Sequence, residues 1–406
     1  MLSLRRREPL SIADFEQLAR RRLPRVLFET IESGVEDELC LATNRDALRR
    51  HRFVPRACND VAVRSQATTL FGEEHRSPFG VAPTGIAGTF RRNAELFLAR
   101  AAAAAGVPFI LSGACMVPLE AVAAISPATT WFQLYPARDQ AIAAAMVRQA
   151  EAAGIAGLVL TIDTPVSPNR ERDKRNGSSL PLRMPLPMLL EALTHPAWIA
   201  RYLLDGGLPM MEIWRPHARL GAGAGEVAQF FRSQSPTIQT WRDLERFRRI
   251  WPRKLVLKGV MHPEDAVRAA NLGFDGIVIS NHGGKALDRV PAPLEMLPAV
   301  RRAVPAKVAV MIDGGIRRGS DIVMARCLGA DFVFVGRATL YAVAARGQAG
   351  AERAIAILQD EIDRTLALVG CADFAKLGPE FLYDVPDGAG PAASSPKLAA
   401  VRSLAR

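Results

Sequence analysis

Eight short apolar runs, separated for the most part by segments of helical periodicity, constrain the fold of this chain more than any other feature. The runs are 79–83, 108–112, 131–135, 157–162, 255–259, 276–280, 307–312 and 332–336. The helical segments between them include 93–105, 138–153, 263–272 and 319–328. Eight strands alternating with helices predict an α/β fold of the (β/α)8 type, a TIM barrel. A doubly wound sheet is less well supported, because no GxGxxG motif follows the first strand.

Two segments are expected to decorate this barrel. Residues 1–60 are predicted to form helices packed outside it, and Pro9 with the Ser11-to-Asp14 stretch resembles a helix start. Residues 163–254 separate strands four and five and are far longer than an ordinary connection. The insertion itself is placed at 166–250.

The length of 406 residues suggests two or three domains, but a decorated barrel can use this length as one unit. Residues 1–383 are therefore interpreted as a single cofactor-binding barrel domain. Residues 384–406 are small and polar and are predicted to be an extended or disordered tail. The stretch 221–226, GAGAGE, is interpreted as a flexible linker and not as a dinucleotide-binding loop.

The charge balance is basic, with 52 Lys and Arg against 41 Asp and Glu and a net charge of +11. Arginine clusters at 5–7, 20–22 and 49–50 contribute much of the excess. No nucleic-acid-binding motif accompanies them, so nucleic acid is not expected as a partner. A solvated face or a lipid-facing patch explains the arginines better.

The cysteine pattern indicates reduced thiols in a cytoplasmic setting. The five cysteines are widely spaced, at Cys40, Cys58, Cys115, Cys327 and Cys371. No CxxC motif and no histidine pair at metal-binding spacing occurs, so no metal site is predicted. The N-terminus lacks an apolar stretch long enough for a signal peptide.

Residues 184–214 are rich in Leu, Met and Trp and lie within the insertion. Charged residues interrupt this segment and argue against a membrane-spanning helix, at Glu191, Arg201, Asp205 and Glu212. Three interpretations remain open for it. The segment forms a lid over the active site, a surface that dips into a membrane, or a contact between subunits.

The run 276–280 leads directly into a histidine and two glycines, followed by Lys285 and, a little later, Asp288. A polar cluster at the C-terminal end of a strand is where α/β barrels hold their chemistry. His282 is therefore a candidate base, and the two glycines allow a ligand to approach the backbone. A single histidine is more often structural, but this position favours a catalytic one.

Polar, glycine or proline residues lie at or near the C-terminal ends of all eight predicted strands, which favours a single cofactor site at one end of the barrel. In chain order they are Pro83, Thr84, Gly85, Ser112, Gln133, Tyr135, Thr161, Asp163, Lys258, His282, Asp313, Gly314, Gly315, Gly336 and Arg337. The loops after strands seven and eight suit a phosphate, since Arg317 and Arg337 add charge to glycine-rich backbone.

Lys258 suits a different task, as a fixed cation beside a ring that becomes anionic on reduction. A Schiff base is the alternative for a lysine at a strand end. That chemistry accounts less well for the polar residues Ser112, Gln133 and Thr161 on the neighbouring strands.

With these residues in place, the chain resembles the FMN-dependent 2-hydroxy acid oxidase and dehydrogenase family from about residue 14 to residue 371. The motifs that carry the resemblance are LPRVLFETIESGVEDE (23–38), APTG (82–85), FQLY (132–135), TIDTP (161–165), LKGV (257–260), SNHGG (280–284), DGGIRRGSD (313–321) and VGRATLY (335–341). The closing stretch and the insertion are most similar to the branch of (S)-mandelate and L-lactate dehydrogenases.

The resemblance implies a role for each matching residue around the substrate. His282 is expected to be the active-site base, with Asp163 hydrogen-bonded to its ring to stabilise the imidazolium. Tyr135 is expected to contact the substrate hydroxyl, and Arg170 to lie near the carboxylate. Two electrons and two protons leave a CH–OH carbon. Whether the second proton leaves with a hydride or before electron transfer stays open.

The resemblance also implies FMN as the cofactor. Around its ring it places Ser112, Gln133, Thr161 and Lys258, and on its ribityl chain it places Asp313. The phosphate is assigned to Arg317, Gly336 and Arg337.

Two departures from the family pattern concern the substrate carboxylate. Thr30 stands where the family has a tyrosine, and Lys285 stands where it has an arginine. Lysine keeps the charge but lacks the bidentate fork that matches a carboxylate. Arg170 then takes over part of the role, or the substrate is bulkier, or it is not a plain carboxylate.

The implied reaction is oxidation of an (S)-2-hydroxy acid, mandelate-like, lactate-like or longer, to the 2-oxo acid. Ala114, where glycolate oxidases have a large aromatic residue, suggests room for a large side chain. Gly85, where oxidases have alanine, favours an acceptor other than oxygen, such as a membrane quinone. A homotetramer is expected, located in the cytoplasm or peripherally on the inner face of the cytoplasmic membrane.

Three other functions remain as alternatives. The first is flavin-dependent oxidation of a non-carboxylate or peptide-derived substrate, which Thr30 and Lys285 would explain. The second is an oxidase that uses oxygen. The third is an FMN-binding scaffold, which would have no need of both His282 and Asp163.

Overall fold

Eight parallel strands close into a barrel in the computed structural model, which describes residues 8–177, 186–204, 207, 209–235 and 237–383. The barrel strands are β3 (Phe79–Val81), β4 (Phe109–Ser112), β5 (Thr130–Leu134), β6 (Gly157–Thr161), β7 (Lys254–Val260), β8 (Gly276–Ile279), β9 (Ala309–Ile312) and β10 (Phe332–Val335). They follow one another around the barrel in chain order, and β10 closes it against β3. Each of the eight predicted apolar runs contains or overlaps one strand, so the predicted (β/α)8 barrel is confirmed.

Helices surround the barrel and precede it. Before and among the first strands lie α1 (Ile12–Arg22), α2 (Arg25–Glu32), α3 (Leu39–Arg50), α4 (Ala87–Phe90), α5 (Ala94–Ala105), α6 (Leu119–Ala123) and α7 (Gln140–Ala152). Between β6 and β7 lie α8 (Glu171–Arg175), α9 (Leu186–Leu193), α10 (Pro196–Leu204), α11 (Ala224–Gln234) and α12 (Trp241–Ile250). After β7 come α13 (Pro263–Asn271), α14 (Pro293–Ala303), α15 (Gly319–Cys327), α16 (Arg337–Arg346) and α17 (Gln348–Val369).

The first three helices confirm the expected N-terminal extension. Helix α1 begins at a capping box, in which the Ser11 hydroxyl accepts from the Asp14 backbone N–H and Asp14 accepts from the Ser11 backbone N–H. Ile12, Phe15 and Ala19 are its buried residues, and α1 packs on α16. The extension is thereby joined to the helix that follows the last barrel strand.

A hairpin that was not predicted closes the bottom of the barrel. Strands β1 (Thr68–Leu70) and β2 (Glu73–His75) are antiparallel and connected by Phe71 and Gly72, both with positive φ. The Phe71 ring lies 5.5 Å from that of Trp131 on β5. A side chain at Gly276, where β8 begins, would collide with Phe71. The N-terminal end of the barrel is therefore filled, which leaves the opposite end for chemistry.

Strand register brings the predicted polar residues together at that opposite end. Ser112 on β4 pairs with Gln133 on β5, and Thr161 on β6 pairs with Lys258 on β7. The register of β7 shifts after Lys258, at a position where Gly259 has φ +98°. A Cβ atom on Gly259 would lie 2.6 Å from the Asp163 Cβ, so glycine is needed for this approach.

The insertion between β6 and β7 is helical in its described part. One expectation for it was wrong: Gly223 caps helix α11, which begins at Ala224, so the second half of the glycine-rich stretch is helical and not a linker. None of the described helices is both long and apolar enough to cross a membrane. The predicted tail, residues 384–406, lies outside the described residues.

Candidate active site

A histidine lies between a carboxylate and a phenol at the C-terminal end of the barrel. His282 Nδ1 lies 3.0 Å from Asp163 Oδ1 and 3.1 Å from Oδ2, and His282 Nε2 lies 3.2 Å from the Tyr135 hydroxyl. These three predicted catalytic residues come from loops after three different strands. The structure therefore brings them into one hydrogen-bonded chain.

Electrostatics keep the carboxylate of this chain ionised and the phenol protonated. Burial opposes the ionisation of Asp163, but the charge and hydrogen bond of His282, with help from Lys258, hold the pKa of Asp163 below its usual value. Burial, and next the negative charge of Asp163, raise the pKa of Tyr135 to about 12. Tyr135 is thus a hydrogen-bond donor at neutral pH, and Asp163 is an acceptor only.

The backbone at His282 adopts a conformation that L-residues rarely take, with φ +57°. The Ser280 hydroxyl oxygen accepts from the His282 backbone N–H at 3.0 Å and from Lys258 Nζ at 2.9 Å. Gly283 and Gly284 continue with positive φ. Backbone strain of this kind persists only where surrounding contacts enforce it; Ser280 provides one such contact, and Lys258 holds the Ser280 hydroxyl in place.

Lys258 and Asp313 form an almost fully buried ion pair on β7 and just after β9. Lys258 Nζ lies 3.1 Å from Asp313 Oδ2, and both side chains are less than a tenth exposed. Burial alone would lower the pKa of Lys258, but Asp313, Asp163 and Tyr135 together raise it. The lysine is therefore a fixed cation. No Schiff-base chemistry is supported, since a Schiff-base lysine requires a lowered pKa.

Three buried polar atoms at the strand ends lack a hydrogen-bond partner among the described residues: Gln133 Nε2, Thr161 Oγ1 and Asp313 Oδ1. Gln133 Oε1, by contrast, lies 3.2 Å from the Ser112 hydroxyl, which donates to it. A buried polar group without a partner is costly, so these atoms indicate a ligand with both donors and acceptors. The carbonyls and N–H of a flavin ring and the hydroxyls of a ribityl chain meet that requirement.

The loops after β9 and β10 border a basic cavity of about 350 Å³. Arg317, Arg337 and Arg45 line it together with Gly315. Burial, followed by the charges of Arg337 and Arg45, lowers the pKa of Arg317 to about 10. A phosphate would relieve this repulsion, so the cavity fits the phosphate end of FMN. Gly314 and Gly315 have positive φ here, at +99° and +81°.

The other residues that the sequence assigned to the cofactor lie just after β3 and β10. Pro83, Thr84 and Gly85 form the loop directly after β3. Gly336 precedes α16, and a Cβ atom there would have only Ala82 and Thr84 nearby, at 3.8 and 3.9 Å. Both distances are ordinary van der Waals contacts, so neither neighbour crowds the backbone at this point.

Lys285 and Arg337 both bind the carboxyl end of helix α2. Lys285 Nζ donates to the Thr30 carbonyl oxygen at 2.8 Å, and Arg337 Nε donates to the Ile31 carbonyl oxygen at 2.8 Å. The last carbonyls of a helix have no partner within the helix and attract cations. The Thr30 hydroxyl donates to the Val26 carbonyl oxygen within the same helix. Thr30 thus meets Lys285 through its backbone.

Lys285 carries a pKa well below its usual value of 10.5, because it is buried and lies near the positive charges of Arg337 and Arg170. Its Nζ also lies 3.3 Å from the Ser33 hydroxyl, which donates to Asp173 at 2.8 Å. Arg170 differs from Lys285: its Nε is buried and has no hydrogen-bond partner among the described residues.

Sequence reasoning missed four residues that support the site. They are Ser280, Ser33, Asp173 and Asn44, the last of which exchanges two hydrogen bonds with Asn281. Ser280 and Asn281 are part of the SNHGG motif, so a signal for them was present. Ser33, Asp173 and Asn44 act across long sequence separations, and no local pattern distinguishes them.

A flavin-dependent dehydrogenase built on a (β/α)8 barrel is the class of protein that this fold and site define. The profile of the FMN-dependent dehydrogenase family matches residues 19–384. The chain is 37% identical to (S)-mandelate dehydrogenase of Pseudomonas putida over 374 residues, which are 92% of this chain and 94% of that protein. It is 39% identical to L-lactate dehydrogenase of Caulobacter vibrioides over 375 residues, which are 92% of this chain and 97% of that protein.

Solved structures agree with these relatives. The crystal structure of the monotopic membrane protein (S)-mandelate dehydrogenase superimposes with a TM-score of 0.89 at 37% identity, over 93% of this chain and 100% of that chain. A mandelate oxidase variant with (S)-mandelic acid superimposes with a TM-score of 0.77 at 34% identity, over 93% and 98%. The chain belongs to the family of FMN-dependent 2-hydroxy acid dehydrogenases, and its cofactor is FMN.

Proposed function

We propose that this dehydrogenase oxidises an (S)-2-hydroxy acid with a bulky side chain to the 2-oxo acid and passes the electrons to an acceptor other than oxygen. The observation that carries the proposal is the position of His282 between Asp163 and Tyr135. One nitrogen of this base is oriented by a carboxylate, and the other faces a hydroxyl group that can donate a hydrogen bond. Such a base suits removal of a proton from a CH–OH group.

The proton chemistry belongs to His282. Because ionised Asp163 only accepts hydrogen bonds, the neutral form of His282 carries its proton on Nδ1 and has Nε2 as its basic nitrogen. Nε2 takes a proton from the substrate, and Asp163 stabilises the imidazolium that results. Tyr135, protonated at neutral pH, donates a hydrogen bond to the substrate oxygen and positions it.

When bound, FMN supplies the two-electron oxidising capacity of the reaction. We assign its ring to Ser112, Gln133, Thr161 and Lys258, and its ribityl chain to Asp313. The loop 83–85 borders the ring. Lys258 is a buried cation and stabilises negative charge that develops nearby. Its ion pair with Asp313 fixes its position.

We assign the FMN phosphate to Gly314, Gly315, Arg317, Gly336 and Arg337. Arg337 is held against helix α2 by the carbonyl oxygens of Ile31 and Ser33. Its position therefore connects the phosphate loop to the helix that carries Thr30.

The substrate carboxylate is assigned chiefly to Arg170. Its buried Nε has no partner among the described residues, whereas the Lys285 ammonium is engaged by the Thr30 carbonyl oxygen. Lys285 and Thr30 take a supporting part, since Lys285 adds positive potential when it is protonated. This assignment explains how the site works with lysine in place of the family's arginine.

A bulky side chain is supported by small residues beside the ring site. Ala114 is buried, and its backbone N–H donates to the Ser112 hydroxyl at 3.1 Å. A Cβ atom on Gly85 would lie 3.2 Å from the Ala114 Cβ and 3.5 Å from Ser112 Oγ. Gly85 and Ala114 are therefore already in close contact, and the support for an aromatic or branched substrate such as mandelate is the small size of the Ala114 side chain.

A membrane quinone is proposed as the acceptor, and peripheral contact with the inner face of the cytoplasmic membrane is proposed for the insertion. Leu190, Leu193 and Leu204, on or at the ends of α9 and α10, are more than half exposed. The similar (S)-mandelate dehydrogenase is described as a monotopic membrane protein. Exposed leucines beside arginines are typical of surfaces that bind the membrane interface. We also propose that the protein is a homotetramer.

Anaerobic bleaching of the visible flavin band tests this function. The panel contains both enantiomers of lactate and mandelate, a long-chain 2-hydroxy acid, and (S)-mandelamide. Rapid bleaching by (S)-mandelate and slow bleaching by (S)-lactate is the expected result. A bound flavin that no acid reduces would contradict the proposal. Reoxidation by oxygen and by a ubiquinone analogue then identifies the acceptor.

A second candidate substrate is a neutral or peptide-derived 2-hydroxy compound. The contact between Lys285 and the Thr30 carbonyl oxygen favours it, because this contact removes one cation from the carboxylate site. Bleaching by (S)-mandelamide at least as fast as by (S)-mandelate would select this alternative.

A further inference from the structure

Asp173 is a buried carboxylate close to the substrate site. It lies on helix α8, three residues after Arg170, and is 8% exposed. Asp173 forms no ion pair among the described residues, and its one hydrogen-bond donor there is the Ser33 hydroxyl, at 2.8 Å. A buried charge is costly unless an opposite charge lies nearby. The position of Asp173 therefore calls for a cation that it reaches through Ser33.

Ser33 connects this carboxylate to Lys285. The serine directly follows helix α2 and is fully buried. Its hydroxyl donates to Asp173, and the same oxygen accepts from Lys285 Nζ at 3.3 Å. A hydroxyl group has one hydrogen, so with that hydrogen on Asp173 only its lone pairs face the lysine. Lys285, Ser33 and Asp173 thus form a relay in which every hydrogen bond points from the cation to the anion.

The charged groups with the largest effect on Lys285 come from three elements around it. They are Glu32 of α2, Arg170 and Asp173 at the start and in the middle of α8, and Arg337 of α16. The two arginines disfavour the protonated lysine, and the two carboxylates favour it, as does the Thr30 carbonyl oxygen at the end of α2. Burial and the arginines prevail and hold the pKa of Lys285 well below its usual 10.5. Loss of either carboxylate would lower that pKa further.

Loss of the Asp173 charge is not expected to displace α8, because three other contacts join α8 and its flanks to α2 and the loop after α2. The contacts are those of the Glu36 backbone N–H with the Asn169 carbonyl oxygen at 3.1 Å, of Arg172 with Glu38, and of Asn176 with Glu29. None of the three involves Ser33 or Asp173. The hydrogen bond between Ser33 and Asp173 therefore matters chiefly for the charge of Lys285.

We infer that Asp173, acting through Ser33, is a positioning residue that keeps a proton on Lys285 and thereby makes the substrate site select a carboxylate over the corresponding amide. The inference rests on the proposed oxidation of a 2-hydroxy acid and identifies residues that give the site its preference. A carboxylate that binds at Arg170 counters the charge of that arginine, so Lys285 takes up a proton as the acid binds. A neutral amide gains nothing from that proton.

Two unreactive probes of the FMN-loaded enzyme test this selectivity. Phenylacetate carries the carboxylate, phenylacetamide is its neutral counterpart, and neither has a hydroxyl group to oxidise. Titrations of the flavin spectrum from about pH 6 to about pH 10, which extends up to the ordinary pKa of lysine, give the Kd at each pH. In wild type the affinity for phenylacetate should fall as the pH rises from the pKa of Lys285 in the free holoenzyme to its higher pKa in the complex. The affinity for phenylacetamide should not follow this fall.

Variants of the relay should displace this pH profile. In Asp173→Asn the fall should occur about one pH unit lower or more, because the carboxylate no longer favours the protonated lysine. Ser33→Ala should displace it in the same direction but less, since the Asp173 charge remains. Glu171→Gln is the matched control, because it removes a carboxylate that lies on the same helix and pairs with Arg175. Its profile should match that of wild type to within about 0.3 pH unit, as expected for a partly exposed pair.

Two further measurements separate the relay from a general change in structure. Lys285→Met shows any pH dependence that other groups of the site contribute, His282 among them, and adding Asp173→Asn to it should displace nothing. Competitive labelling with acetic anhydride then measures Lys285 itself without a substrate, because only the uncharged amine reacts and Lys285 is not fully enclosed. The labelled fraction against pH gives the pKa of Lys285, which Asp173→Asn should lower by about one pH unit or more and Glu171→Gln should not. The flavin spectrum and thermal unfolding verify that each variant is folded.

Each outcome has a distinct meaning. A lower pKa of Lys285 in Asp173→Asn, together with a displaced phenylacetate profile, supports the relay. An unchanged pKa overturns it, whether or not (S)-mandelate reduces the flavin. A lower pKa with an undisplaced phenylacetate profile overturns the selection of the carboxylate by Lys285. Failure of the proposed function would show separately, as a bound flavin that no acid bleaches, and would leave the labelling result unaffected.

Discussion

Asp163 and His282 are joined by a 3.0 Å contact between Oδ1 and Nδ1, although 118 residues separate them in the chain. This contact determines which nitrogen of the imidazole is the base. The pKa of Asp163 is held below its usual value, so the carboxylate is ionised and only accepts hydrogen bonds. In the neutral imidazole Nδ1 must then carry the proton, and Nε2, which faces the Tyr135 hydroxyl, is the basic nitrogen.

Replacing Asp163 by Asn should therefore slow substrate oxidation while the flavin stays bound. The amide can support the wrong tautomer and cannot stabilise the imidazolium, so we expect a loss of about 10²- to 10⁴-fold in the rate of flavin reduction. Anaerobic stopped-flow spectroscopy measures that rate. His282→Gln should be at least as slow. Reduction of either variant at the wild-type rate would show that His282 is not the base.

Removing Arg170 should weaken substrate binding more than removing Lys285. Arg170→Met is expected to raise the Kd of an unreactive carboxylate analogue by roughly 10²-fold, because a charge-assisted contact is lost. Lys285→Met should raise it by less, since the Lys285 ammonium is already bonded to the Thr30 carbonyl oxygen. Titration of the flavin spectrum with the analogue gives both constants. A larger effect at Lys285 would reverse the assignment.

Enlarging Ala114 should change which acid is preferred. Ala114→Phe puts a large ring where a bulky substrate side chain is proposed to lie, so kcat/KM for (S)-mandelate is expected to fall by about tenfold or more. The value for (S)-lactate should fall much less, because its methyl group does not need that space. Steady-state assays with both acids test the ratio. An equal loss for both acids would mean that Ala114 lies away from the substrate side chain.

FMN affinity should weaken as the pH rises. With the FMN phosphate at Arg337, as proposed above, its charge counters that of Arg337, so binding raises the lowered pKa of Lys285 and the holoenzyme holds more protons than the apoprotein. The affinity for FMN therefore begins to fall when the pH reaches the lowered pKa of Lys285 in the apoprotein. It continues to fall until the pH passes the higher pKa of Lys285 in the holoenzyme. Fluorescence titrations of the apoprotein with FMN measure the Kd at each pH. They are carried out above about pH 7, where the phosphate is already dianionic.

The matched control for the pH experiment is Lys285→Met, which removes the titrating group. Its FMN affinity should vary less with pH over the same range. If wild type and Lys285→Met show the same slope, another group is responsible for the pH dependence.

The order of the barrel strands could be predicted because its signals are local. An apolar run such as 276–280, with a helical segment on either side, is readable without any knowledge of distant contacts. The hairpin of β1 and β2 was missed because its strands have three residues each and carry no apolar alternation. The helical start of α11 at Ala224 was missed because Gly225 and its neighbours disfavour a helix, and the Glu226 carboxylate that binds the Gly223 N–H offsets this.

Most of the site was also predictable, because parallel strands place their C-terminal residues at one end of a barrel. His282, Asp163 and Tyr135 were predicted for that reason and are in contact. The use made of Lys285 was not predictable. Its partner, the Thr30 carbonyl oxygen, is a backbone atom 255 positions away. No side-chain pattern marks it.

The sequence by itself determined the alternation of strands and helices and the identity of the polar residues at each strand end, because hydrophobic periodicity and motif residues are properties of neighbouring positions. Only the tertiary structure decided which cation meets the helix α2 carbonyls, and that Arg170 keeps a buried Nε–H without a partner among the described residues. Those outcomes depend on packing between elements far apart in the chain, where burial and charge at a single point are summed over several segments.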